Sequence, residues 1–192
     1  MKKVRMVFAS TSAGKIKEVK LLIEQAGVEV ELLGLRDIGF TDEIIEDGGS
    51  FEANAEIKAR AVFERTGLIC FADDSGLCVD WLGGAPGVDT AYYGGDILEE
   101  LKNVPDGQRG AVAVCVIYCV VSREECFCVR GECAGIITRE RVGESGFGFD
   151  PIFYYPPEGR TFAQMTSEEK SKFSHRGRAV ELFAEKIVKY IN

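Results

Sequence analysis

Val4 to Ala9 is a short apolar run suited to a buried strand, and Ser10 to Gly14 after it is small and polar. Ile16, Val19, Leu22, Ile23 and Ala26 then recur at helical spacing as far as Gly27, which predicts a helix stopped by glycine. Val28 to Leu33 returns to strand character, and Asp42 to Gly49 is an acidic loop. Phe51, Ala55, Ala59, Val62 and Phe63 mark a second helix closed by Gly67. Leu68 to Ala72 reads as a strand that ends at Asp73-Asp74-Ser75-Gly76. Gly83 to Gly87 is a turn, and Ile97 to Leu101 predicts a short helix. Ala111 to Val121 and Cys126 to Thr138 read as long neighbouring strands joined by Ser122-Arg123-Glu124-Glu125. Gly143 to Gly148 is a glycine-rich loop, and a last helix carries Ala179, Leu182, Phe183, Ile187, Tyr190 and Ile191. Trp81 and the Tyr92-Tyr93 pair are read as packing residues. Helices alternating with strands, then long paired strands, predict an α/β fold with a mixed sheet.

The length of 192 residues suits one domain with a sizeable core, expected to span 1–192. Apolar residues at 46% and charged ones at 28% exclude disordered and fibrous classes. Twenty-three basic residues against 31 acidic ones give a net charge of −8, which disfavours a nucleic acid polymer as partner. A small phosphorylated ligand held by a few local cations stays compatible with that charge. Seven cysteines, an odd number set mostly in apolar runs, predict reduced core thiols. Cys126 and Cys128 with Cys133 lack the spacing of a zinc knuckle. The first residues carry charge and lead into Ser, Thr and Gly, and the longest apolar run, 111–121, is too short for a bilayer. A soluble cytoplasmic protein with no membrane partner is expected.

Four segments carry candidate chemistry. Ser10-Thr11-Ser12-Ala13-Gly14-Lys15 joins a strand to a helix, where free amide N–H groups and the helix dipole suit an anion. It is not a P-loop, and the same spacing also describes a capped helix with a surface lysine. Asp73 and Asp74, adjacent on extended chain, point to opposite faces, so one of them serves a given site. Glu46, ahead of the second helix, could meet that aspartate, and two carboxylates with phosphate oxygens are usual surroundings for Mg²⁺. The alternative is a turn cap and a solvated glutamate.

Lys170 to Arg178 packs four basic residues and the lone histidine into nine positions ahead of the last helix. One histidine without a serine or cysteine partner motif argues against triad hydrolysis. These groups suit phosphates or purine acceptors, or else form a solvated basic helix start, although cations there oppose the macrodipole. Gly146-Phe147-Gly148-Phe149-Asp150-Pro151 could expose rings for base stacking, or could close a core loop.

Taken in order, these segments resemble the inosine/xanthosine triphosphate pyrophosphatase family. The matching stretches are Ser10 to Glu18, Ser50 to Ala55 with Lys58, Ala72 to Leu77, Leu82 to Val88, Gly146 to Pro151, Glu169-Lys170 and Ser174-His175-Arg176. The resemblance implies a long bent mixed β-sheet flanked by helices, two lobes with an active-site cleft between them, and a homodimer. It implies Mg²⁺-dependent hydrolysis of non-standard purine nucleoside triphosphates (ITP, dITP, XTP) to monophosphate and pyrophosphate, with Mn²⁺ as the other candidate ion.

It further implies metal ligation by Glu46 and Asp74, with Asp74 also the proton acceptor. Ser10, Thr11, Ser12, Ala13, Gly14 and Lys15 would bind phosphates, with Lys58, Ser75 and Lys170 as further substrate contacts. Phe147, Gly148, Phe149 and Asp150 would form the base pocket, and His175 with Arg176 would read the purine. The chain departs from that pattern at Ser12, where asparagine is usual, at Tyr92, where arginine is usual, and in a shortened segment from Gly94 to Leu101. A pyrophosphatase for modified pyrimidine nucleotides and a non-catalytic nucleotide-binding protein of the same fold are the alternative readings.

Overall fold

The structure is a computed structural model that describes residues 3–191. Met1, Lys2 and Asn192 lie outside the described residues, and with them the charged start and the two ends of the expected domain. In chain order the elements are β1 (Val4–Phe8), α1 (Ala13–Gln25), β2 (Val30–Gly34), α2 (Phe51–Thr66), β3 (Ile69–Val79), β4 (Pro86–Gly87) and α3 (Ile97–Glu100). They continue with β5 (Gly110–Val120), β6 (Cys126–Ile137), β7 (Phe153–Tyr155), β8 (Arg160–Thr161), α4 (Ser167–Ser171) and α5 (His175–Ile191).

One eight-stranded sheet runs in the order β2-β1-β3-β5-β6-β7-β8, with β4 paired to β3. The β2-β1-β3 part is parallel, as helical crossovers require, and the remainder is antiparallel. The α/β reading with a single mixed sheet flanked by helices is thus realised. Both long helices have the ends that the sequence encodes. Ser12 and Ser50 accept from the amides of Lys15 and Ala53, and Gly67 closes α2 at φ 65°.

Helices α1 and α5 cover one face through Val19, Leu22, Val180 and Phe183, which pack on Phe8, Phe71 and Ile117. Helix α2 covers the other face, its Ala59 and Val62 packing with Val7, Cys70 and Ala72. A separate cluster around Leu77, Ile137, Phe153 and Phe162 fills the far end of the long strands. There Arg109 is 2% exposed and donates to the carbonyls of Ile137 at 2.8 Å, Leu101 at 2.5 Å and Thr138 at 2.5 Å. It thereby ties the chain at Leu101 to the end of β6. Helix α5 sits unusually close to β6, because a Cβ on Gly131 would fall 2.2 Å from the His175 carbonyl oxygen.

Three expectations are corrected. Asp73 to Gly76 do not end a strand; they lie in the middle of β3, which continues to Val79. The last helix starts at His175, so His175 and Arg176 form its first turn, and Leu182 and Tyr190 of the expected apolar stripe are 41% and 39% exposed. Trp81 and Tyr92 are exposed rather than packed, whereas Tyr93 packs against the far-end cluster. All seven cysteines are unbridged, with Cys70, Cys115, Cys119 and Cys133 buried. Among the described residues, no helix is long and apolar enough to cross a membrane.

Candidate active site

The site begins with a gap in the sheet. β1 pairs with β3 only as far as Phe8 opposite Phe71, and β4 takes up the same edge at Leu77. The edge of β3 between those pairings, containing Asp73, Asp74 and Ser75, is therefore open on the β1 side while β5 pairs it on the other. Alternation along the strand sends Asp73 and Ser75 toward α1 and α5, and Asp74 toward α2. Because the edge is open, groups from both faces line one cavity of about 600 Å³.

The cavity collects nearly every residue expected from the sequence. Ser10, Thr11, Ser12, Lys15, Glu46, Lys58, Asp74, Ser75, Phe147, Gly148, Phe149, Asp150, Lys170, His175 and Arg176 all line it. Ala13 and Gly14 do not; Gly14 is turned against the Phe147 ring instead. Asn54 and Thr90, which no sequence pattern singled out, also line the cavity, as does Tyr92, expected as a packing residue. Asn54 lay within a matched segment, one helical turn from Lys58, and that spacing was the available signal.

On the α2 side, the Lys58 ammonium contacts Glu46 Oε2 at 2.5 Å and Asp74 Oδ1 at 3.2 Å. Asn54 Nδ2 donates to Asp74 Oδ2 at 3.3 Å while its own carbonyl accepts from Gly48 N–H. Burial opposes the Lys58 charge, but Asp74, Glu46 and Asp73 outweigh it and raise its pKa. Asp74 behaves differently from an ordinary partner in an ion pair. Burial raises its pKa, Lys58 and Lys15 offset this only in part, and Glu46 adds to the rise. One ammonium shared by two carboxylates leaves Asp74 short of positive charge.

On the other face lies a buried charge lattice whose partners are too far apart along the chain for any local pattern to announce. Asp73 is 1% exposed and pairs with Lys15 at 3.3 Å and Arg176 at 3.1 Å. Glu18 pairs with Lys170 at 2.8 Å and Arg176 at 2.5 Å, and Asp150 pairs with Lys170 at 2.7 Å. Arg176 also donates to Ser75 Oγ at 2.9 Å. Burial opposes both charges of the Asp73–Arg176 pair, yet Lys15 and Arg176 hold the Asp73 pKa well below the carboxylate range. Asp73 in turn raises that of Arg176. This lattice explains why basic residues tolerate the first turn of α5, where the macrodipole disfavours them.

It also ties up Lys15, Lys170 and Arg176, the cations expected to contact substrate. Each is already matched by an internal carboxylate. The four cations Lys15, Lys58, Lys170 and Arg176 face five carboxylates, Glu18, Glu46, Asp73, Asp74 and Asp150. With all of them ionised, the walls carry no surplus positive charge with which to attract a polyphosphate.

His175 is 2% exposed and lies between Phe149 and Phe162, with ring centroids at 5.8 Å and 6.2 Å. Its Nδ1 has no hydrogen-bond partner among the described residues. Burial, then Arg176 and Lys170, push its pKa well below 6.5, with Asp73 opposing, so the ring is neutral. A histidine that is neutral when folded but protonated when unfolded adds stability above pH 6.5 and loses it as pH falls. The melting temperature is therefore expected to drop from about pH 6.5 to pH 5, by up to about 1.4 kcal/mol of stability per pH unit. In the His175→Asn variant this part of the slope is expected to vanish, which thermal melts across that range will check.

The Ham1 family model matches residues 6–186. The chain belongs to the Ham1 family. A dITP/XTP pyrophosphatase of Shigella flexneri is 43% identical over 190 residues, covering 93% of this chain and 95% of its own. A solved HAM1 protein from Coxiella burnetii superimposes with a TM-score of 0.85 at 35% identity, covering 97% and 99% of the two chains. The Staphylococcus aureus Ham1 protein gives 0.83 at 33% identity, with 96% and 98% covered. Ser12 spends its hydroxyl on capping α1, accepting from Lys15 N at 3.4 Å. Tyr92, 80% exposed, stands at the cavity rim.

Proposed function

We propose that this Ham1 protein hydrolyses non-standard purine nucleoside triphosphates, ITP, dITP and XTP, to the monophosphate and pyrophosphate with Mg²⁺, Mn²⁺ being the alternative ion. The pyrophosphatase class is that of its relatives, and the observation that carries the finer reading is the pair of carboxylates sharing Lys58. Glu46 and Asp74 both reach one ammonium, so both lie within reach of a single cation, and their oxygens are the hard donors a magnesium ion takes. The raised Asp74 pKa fits the same group, because its carboxylate gains from further positive charge. Bound there, the ion would neutralise phosphate charge that walls without surplus cations cannot.

The chain's own residues do the rest. The amide of Thr11, with no acceptor among the described residues, lies in the cavity wall just ahead of α1 and offers a donor for phosphate oxygens. Asp74 takes the proton of the attacking water, and Lys58 holds Asp74 and Glu46 in place. Phe147 offers a ring for the base. Purine selection rests on neutral His175. A neutral imidazole carries one N–H, and with Nδ1 unpartnered among the described residues, a proton on Nε2 would make that nitrogen the donor toward the base. A donor there pairs with a 6-oxo group and is left unmatched by the 6-amino group of adenine. Arg176, most of its donors already spent on Asp73, Glu18 and Ser75, fixes that end of the pocket.

Pyrophosphate release from a nucleotide panel, with Mg²⁺ and with a chelator, tests the reading. dITP and XTP are expected to turn over at least about a hundredfold faster than dATP, the order of discrimination an unpaired buried group gives. Chelation is expected to abolish all release. Equal rates on dITP and dATP would refute the base assignment, and full activity in chelator would refute the metal.

A further inference from the structure

Gly14 is the second residue of α1, and a Cβ placed on it would fall 2.7 Å, 2.9 Å and 3.0 Å from Cδ1, Cε1 and Cγ of Phe147. Carbon atoms in ordinary contact are about 3.5–4.0 Å apart, so the ring rests where any side chain would stand. The loop that carries the ring is pinned from beneath. Phe147 N–H donates to Asp150 Oδ2 at 2.9 Å, and Lys170 holds the same oxygen at 2.7 Å. Lys170 Nζ and Arg176 Cζ lie 5.2 Å and 5.7 Å from the ring centroid, within cation–π range. Phe147 is 37% exposed and lines the cavity, whereas Gly14 does not line it.

We propose that Gly14 is a positioning residue: its bare Cα sets how closely the Phe147 ring approaches the phosphate turn, and so the spacing between the phosphate and base halves of the site. This rests on the nucleotide reading above and deepens it. The residue expected from sequence to touch phosphate acts instead through an aromatic ring. A nucleotide spans both halves and feels the spacing; a polyphosphate without a base feels only one.

The test is the Gly14→Ala variant, alone and combined with Phe147→Leu, with dITP as substrate and inorganic tripolyphosphate as competitive inhibitor. Alanine is a better helix former than glycine, so α1 is retained and the melting temperature reports folding. The KM for dITP is expected to rise about tenfold with kcat within about threefold, a size typical of coupling between touching residues. The inhibition constant of tripolyphosphate is expected to stay within about twofold. The double variant is expected to have the KM of Phe147→Leu alone, because removal of the ring edge relieves the clash.

Parallel rises in KM and in the tripolyphosphate constant would make Gly14 a phosphate contact and overturn the proposal. An unchanged KM in Gly14→Ala, with a raised one in Phe147→Leu, would overturn it while leaving the nucleotide reading intact. No change in either variant would remove the base site itself.

Discussion

The Asp74→Asn variant is expected to lose about a thousandfold in turnover of dITP, the range for removal of a positioned general base. The amide keeps the shape and one acceptor oxygen but cannot take a proton, and it is a poorer ligand for a hard cation. Stability is expected to change little. A carboxylate whose pKa is raised by the fold is held ionised at a cost to the folded state at neutral pH, so a neutral isostere relieves that cost. Lys58 keeps Glu46 at 2.5 Å as its partner. Single-turnover rates with thermal melts on the same preparation check both halves. Turnover within about tenfold of the parent would take the proton-accepting role away from Asp74.

One residue away, the expected result reverses. Asp73→Asn is expected to lower stability by about 3 kcal/mol at neutral pH, because it leaves Lys15 and part of Arg176 uncompensated in a buried place. For a chain of this size that is a fall of roughly 10 °C in melting temperature. The pH dependence identifies the cause. The folded pKa of Asp73 lies below the ordinary 3.8, so its contribution is present above that value and lost as pH falls through the folded one. The melting curves of parent and variant are therefore expected to converge in acid. A constant gap down to low pH would assign the loss to packing instead of charge.

These two aspartates also mark where the sequence could and could not be read. Their opposite facing follows from strand alternation, and the bounds of α2 follow from Ser50 and Gly67. The continuation of β3 through Asp-Asp-Ser-Gly does not follow from any local signal, because such residues normally end strands. They stay in the strand here because cations from three distant helices, Lys15, Lys58 and Arg176, meet the carboxylates. Gly76 allows β4 in, since a Cβ there would fall 2.1 Å from the Gly87 carbonyl oxygen. The same distance in sequence hid the partners of Glu18, which lie 152 and 158 residues away. A reading segment by segment sees unopposed basic residues near the end of the chain; only the folded sheet shows them matched by acids. Membership of the Ham1 family was legible because the matched segments recur in order, whereas the balance of four cations against five carboxylates in and behind the cavity wall was not.

A pyrophosphatase that releases the monophosphate directs water to the phosphorus nearest the nucleoside. Hydrolysis of dITP with Mg²⁺ in ¹⁸O-enriched water tests it most directly, with the products separated and weighed by mass spectrometry. The label is expected in the nucleoside monophosphate, with unlabelled pyrophosphate beside it. Label in pyrophosphate, or release of orthophosphate with a nucleoside diphosphate, would show that water attacks a different phosphorus and overturn the proposed reaction.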